Sequence, residues 1–90
     1  MDLKQLECFV AVAEELNFRR AAERLCMSQS AVSERISTLE YSVGVSLLFR
    51  TTRQVSLTQA GVDFLKNVSG VLSEIERSVE SARQCSATGI

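Results

Sequence analysis

The 90-residue sequence predicts a mainly α fold: three helices, a β-hairpin and a long final helix. Three observations carry that prediction. Apolar residues recur at helical spacing from Leu3 to Leu16, and again through Val32, Ile36, Leu39 and Val43. Between Leu47 and Leu57 the periodicity shortens, and Val55 and Leu57 alternate with polar neighbours. From Leu65 onward apolar residues are spaced 3, 4, 3, 4 and 3 apart, which is a heptad seam.

Asp2 is suited to capping a first helix over residues 3–16, whose Leu3, Leu6, Phe9, Val10, Ala13 and Leu16 form an apolar face. Asn17 can cap a short second helix from Phe18 to Leu25, in which Ala21 and Ala22 leave so little bulk that another helix can approach closely. Cys26, Met27 and Ser28 then make a three-residue turn. Ser28 can cap a third helix that begins at Gln29, runs to about Ser42 and stops at Gly44. Two short helices joined in this way match the helix-turn-helix pattern. Leu47–Arg50 and Gln54–Leu57 read as the strands of the hairpin. Its tip, Thr51, Thr52 and Arg53, lacks the glycine that tight turns prefer. Arg50 precedes the tip and Arg53 lies in it, so one protruding wing carries both guanidinium groups.

Thr58 can cap the final helix, which at about 27 residues would be about 40 Å long, more than so small a domain covers by itself. Leu65, Val68, Leu72, Ile75, Val79 and Ala82 form its seam, and a second copy of the chain is the simplest cover. The alternative is that the first half of the helix packs on the domain's own core; Phe64 can do so without excluding a dimer.

Hydrophobic content of 46% with 23% charged residues suits one small globular domain. There is no proline, and no apolar run approaches the ~20 residues of a membrane span, so a soluble, cytoplasmic chain is expected. Cys8, Cys26 and Cys85 are odd in number and lack ligand-like spacing; with no histidine present, neither a metal site nor a cofactor is expected, and the thiols read as reduced and structural. No glycine-rich phosphate loop and no nucleophile with an evident base occurs, so an enzyme is not expected. The net charge of −1 hides an uneven distribution. Residues 17–56 hold six basic side chains (Arg19, Arg20, Arg24, Arg35, Arg50, Arg53) against three acidic ones (Glu23, Glu34, Glu40), while the remainder holds four against eight. A basic middle is compatible with a phosphate-facing patch or with a solvated mixed surface.

Residues 28–37 read SQSAVSERIS. Val32 and Ile36 mark one face of this helix for burial. Away from them stand Ser28, Gln29, Ser30, Ala31 and Ser33, where a solvent-facing helix more often carries Lys, Glu and Arg. Such a surface suits something that must come close.

FVAVAEELNFRRAAERLCMSQSAVSERISTLE followed by GVSLLFRTTRQVSLTQAG resembles the N-terminal DNA-binding domain of the LysR-type transcriptional regulators, over nearly the whole chain. The order of the pieces carries the resemblance: AVAEELNF, then AA with Leu25 three residues on, SQSAVS, LE, GV, LLFR, and LTQAG opening a long helix. It implies a winged helix-turn-helix over residues 1–57. Residues 58–90 would be a linker helix, pairing antiparallel with its partner, and a C-terminal tail. A separate effector-binding domain, absent from this chain, would take any small-molecule effector and supply any higher oligomer. The ending, Ser86 to Ile90, reads as that of a regulator's DNA-binding portion or of a truncated relative. The implied activity is sequence-specific binding of double-stranded DNA by a dimer on an inverted repeat, regulating transcription in a bacterial cell. A winged helix used only for protein contacts or dimerisation is the rival reading; it would show no salt-sensitive DNA affinity.

For DNA binding, the third helix would enter a major groove ~12 Å wide, which bulky side chains at its first turn would prevent. Ser28 stands at that turn. Gln29 can bond adenine in bidentate fashion, Ser30 and Ser33 can serve bases or phosphates, Ala31 can touch a thymine methyl group, and Arg35 can reach a phosphate or a guanine. Arg50, Thr51 and Arg53 on the wing suit the backbone or the neighbouring minor groove. Arg19 and Arg20, beside the amide end of the second helix, are phosphate candidates. Family members often carry Pro where Ser30 stands, and Arg or Gln where Glu34 stands. Glu34 would repel phosphates, accept from a cytosine amino group, or pair with a nearby arginine; the last two are favoured together over repulsion.

Overall fold

Asp2 starts helix α1 (Leu3–Glu15) with a reciprocal capping box: its carboxylate accepts from the Gln5 N–H at 2.8 Å, and the Gln5 side chain accepts from the Asp2 N–H at 3.2 Å. The computed structural model describes residues 1–87, so the last three residues of the expected tail lie outside the described residues. Helix α1 stops one residue short of the expected end because Leu16 turns into the left-handed region (φ 51°), its N–H closing on the Val12 carbonyl at 2.7 Å. Leu3 and Leu16, expected on the apolar face, are exposed, whereas the six consecutive residues Cys8–Ala13 are all buried. The helix is central rather than amphipathic: α2, α3 and α4 all pack against it. Burial pushes the Cys8 thiol above its ordinary pKa.

Asn17 caps α2 (Phe18–Leu25) by accepting from the Arg20 N–H at 2.8 Å. Ala21 and Ala22 are buried as the helix-turn-helix pattern requires. Arg24 reaches back to Glu14 at 2.7 Å and Glu15 at 3.3 Å, fastening the end of α2 to the end of α1. After the turn, Ser28 Oγ accepts from the Ala31 N–H at 3.1 Å and opens α3 (Gln29–Val43), in which Val32, Ile36 and Leu39 are fully buried. Gly44 ends α3 at φ 90°, a conformation that costs a side-chain-bearing residue strain, with its N–H on the Glu40 carbonyl at 2.8 Å.

Strands β1 (Leu48–Arg50) and β2 (Val55–Leu57) pair antiparallel, Leu48 with Leu57 and Arg50 with Val55. Each is a residue shorter than expected. Leu47 gives its N–H to the Glu40 carboxylate and its carbonyl to the Thr58 N–H, and the Gln54 carbonyl accepts from the Thr51 N–H to close the turn. The tip needs no glycine because Thr51 Oγ accepts from the N–H groups of Arg53 at 3.2 Å and Gln54 at 2.9 Å, organising the turn from its side chain.

Thr58 Oγ accepts from the Gly61 N–H at 2.9 Å and donates to the Ser46 carbonyl at 2.8 Å, so the cap of α4 (Gln59–Ala87) is also a tie to the start of the wing. The Phe64 ring meets Phe9 edge-on at 5.4 Å, and Leu65, Val68 and Leu72 pack against the core. From residue 73 to 86 every residue is exposed. With 29 residues, α4 is about 43 Å long and stretches the molecule to 53 × 24 × 19 Å. Among the described residues no helix is long and apolar enough to cross a membrane, and no group of three or more His, Cys, Asp or Glu is placed to hold a metal.

Candidate nucleic-acid interface

The start of α2, the first turns of α3 and the wing converge on an open groove of about 620 Å³, lined by Asn17, Phe18, Arg19, Gln29, Ser30, Ser33 and residues 50–55 among others. No carboxylate lines it, and three arginines do. Beside the groove, the outward face of α3 is set by the 3.6-residue period. Ser30, Glu34, Ser37 and Tyr41 lie opposite the buried Val32, Ile36 and Leu39, and all four are exposed. Short side chains at Ser30 and Ser37 leave the backbone approachable at those positions of this face. Arg19, Arg20 and Arg53 are exposed and Arg35 is half-buried; none of the four forms an ion pair among the described residues.

The residues expected to contact DNA divide into free and engaged side chains. Ser28 spends its hydroxyl on capping α3, with Ser30 Oγ 3.3 Å away, and Thr51 spends its own on the wing turn. Arg50 is held on three sides. It donates to Ser33 Oγ at 2.6 Å, its guanidinium lies 4.7 Å from the Phe18 ring centroid, and its other nitrogen is 3.9 Å from Glu40. Ser33 is thereby engaged as well. Gln29, Arg19, Arg20 and Arg53 remain free on the exposed side; Ser30 is exposed with its hydroxyl shared with Ser28, and Ala31 is half-buried on the shoulder of α3. Glu34 is exposed and makes no ion pair among the described residues; Arg50, the arginine that does meet a carboxylate of α3, meets Glu40.

Two residues that organise the site, Glu40 and Phe18, were not singled out from the sequence. One Glu40 carboxylate oxygen accepts from the Leu47 and Leu48 N–H groups at 2.7 and 3.1 Å, fixing where the wing leaves α3. The available signal was its place at the end of α3, shortly before a strand that needs donors satisfied. Phe18 directly follows a capping residue and is half-buried, so its ring is presented to the wing.

The seam residues of α4 also divide. Leu65, Val68 and Leu72 lie on the domain's own core, whereas Ile75, Val79 and Ala82 continue the stripe into the exposed half. A groove of about 300 Å³ between α1 and α4 joins the two parts, with Leu3, Val10, Leu25, Leu72 and Ile75 as its apolar lining.

Residues 3–62 match a family model described as bacterial regulatory helix-turn-helix protein, lysR family. The chain is 48% identical over 84 residues to the HTH-type transcriptional regulator AlsR of Bacillus subtilis, and equally so to the Hca operon transcriptional activator HcaR of Escherichia coli. Each alignment takes in 93% of this chain but 28% of the relative, so the chain spans little more than a quarter of their length. Among solved structures, a BenM DNA-binding domain in complex with catB site 1 DNA superposes with a TM-score of 0.90 at 36% identity, covering 96% of both chains. A CbnR DNA-binding domain–DNA complex gives 0.87 at 38% identity, covering 96% of this chain and 99% of the other. With the family model matching two thirds of its length and the fold matching throughout, the chain belongs to the lysR family of bacterial regulatory helix-turn-helix proteins.

Proposed function

We propose that this chain binds double-stranded DNA sequence-specifically, as the DNA-binding portion of a transcriptional regulator whose two copies read an inverted repeat. The observation that carries the proposal is the groove between α2, α3 and the wing: arginines without acidic neighbours in its lining stand beside a helix face on which Ser30 and Ser37 are short polar side chains. The structurally similar BenM and CbnR domains are themselves in complex with DNA. Helix α3 enters the major groove, where Gln29 pairs with adenine, Ser30 meets a base or phosphate and Ala31 meets a thymine methyl. Arg53 on the wing meets the sugar–phosphate backbone or the adjacent minor groove, Arg19 and Arg20 meet phosphates, and Arg35 reaches a phosphate or a guanine from the side of α3. Residues 1–57 make these contacts and 58–90 link the two copies; an effector-binding segment beyond them supplies any small-molecule control.

The test is duplex binding by the 90-residue chain across a salt series. Log affinity should fall linearly with log salt, by about 0.9 for each phosphate neutralised. Affinity that ignores salt, or no binding to any genomic fragment at low salt, overturns the proposal and leaves a winged helix that serves protein contacts.

A further inference from the structure

We infer that Glu34 reads a cytosine, and so sets one base pair of the preferred site. The inference rests on the proposed DNA binding and deepens it. At 100° per residue, Glu34 lies about 160° around the α3 axis from the fully buried Ile36, at the middle of the outward face between Ser30 and Tyr41. It is exposed, and no arginine neutralises it among the described residues. The second carboxylate of α3 in this region, Glu40, is engaged by backbone N–H groups and turned toward the wing, which leaves Glu34 alone in facing outward. A side chain at the centre of a helix lying in the major groove points at the groove floor rather than at the flanking phosphates.

On that floor a carboxylate discriminates strongly, because it only accepts hydrogen bonds. Guanine offers two acceptors, N7 and O6, and thymine offers O4, all of which repel it. Adenine sets its N7 acceptor beside its amino donor. Cytosine alone presents an amino donor and no acceptor of its own on its major-groove edge. Glu34 therefore accepts from cytosine N4 and disfavours the other three bases at that position, while its charge lowers affinity for DNA that lacks the match. Selectivity is gained at the expense of non-specific binding.

The experiment selects binders from a randomised duplex pool with the parent chain, Glu34→Ala and Glu34→Gln, and then measures affinity for the selected site and for each single-base variant of it. Residue 34 is exposed and helical, so both variants should keep the parent's unfolding midpoint. The parent should require cytosine at one position of each half-site, losing about fivefold to 150-fold with any other base. Glu34→Ala should lose preference at that position alone and bind unrelated duplex more tightly than the parent. Glu34→Gln should move the preference toward adenine, whose donor and acceptor an amide matches. Unchanged preferences at every position in both variants, with uniformly tighter binding, overturn the inference and leave Glu34 as a phosphate-repelling charge. Failure of the parent to bind any duplex at low salt overturns the DNA-binding proposal along with it.

Discussion

Arg50 and Arg53 are three residues apart on one short wing and look alike in the sequence, yet the structure gives them different work. Arg50 joins three elements: it bonds Ser33 on α3, stacks over Phe18 at the start of α2, and leads out of β1. It therefore fixes the angle between wing and recognition helix. Arg53, at the exposed tip, has no side-chain partner among the described ion pairs. Arg50→Ala should lower stability by about 2 kcal/mol, the combined scale of one hydrogen bond from a charged group and one partly exposed cation–π contact, and should weaken DNA binding by letting the wing drift. Arg53→Ala should leave stability within about 0.5 kcal/mol, yet weaken binding to all sequences alike and reduce the salt slope by about one. Thermal unfolding alongside salt titrations separates the two. If Arg50→Ala kept full stability and lost only one unit of salt slope, Arg50 would be a phosphate contact after all.

Among the elements, what could be read from the sequence was what is local. Asp2, Asn17, Ser28 and Thr58 each immediately precede a helix, and each caps it, because a capping bond spans three positions and needs nothing from the rest of the chain. The central burial of α1 was not legible, since it depends on α4 folding back across it from more than 50 residues away. Nor was the Arg50 site, whose partners stand 17 and 32 positions distant, nor the bond from Leu47 to Glu40. Two glycines of α4 show the same division. A Cβ on Gly61 would stand 2.0 Å from the Leu47 carbonyl oxygen, where α4 crosses the entry to the wing, whereas one on Gly70 would meet nothing within 4 Å. Gly61→Ala should destabilise the domain by about 1–3 kcal/mol through forced backbone displacement. Gly70→Ala should stabilise it by up to about 1 kcal/mol through helix propensity alone. Urea unfolding of the pair against the parent measures both, and equal effects would mean that the close approach at Gly61 does not constrain the fold.

For the molecule as a whole, the unresolved physical demand is the second half of α4. Residues 73–86 have no cover, and a stretch of that length gains little from helix propensity alone in water. On it, Ile75 and Val79 remain 38% and 45% exposed, and Ile75 lines the α1–α4 groove together with the exposed Leu3. The heptad spacing identified this stripe but could not show where the domain's own core stops using it; that division falls between Leu72 and Ile75, because Leu72 still packs on the core. A second copy laid across Ile75, Val79 and Ala82 would cover the stripe and set two recognition helices in twofold relation, as an inverted repeat demands. Lysine at Leu72 would damage the domain as well as a dimer, so the informative variant is Ile75→Lys combined with Val79→Lys, which touches only exposed positions. Its unfolding midpoint should match that of an isolated domain, its mass by sedimentation should fall from two copies to one, and its affinity for the full inverted repeat should drop by about 100-fold or more as the linked second binding event is lost. A parent that sediments as one copy at micromolar concentration, or a double variant that stays paired, would mean that the exposed half of α4 is not the joining surface and that another face brings two copies together.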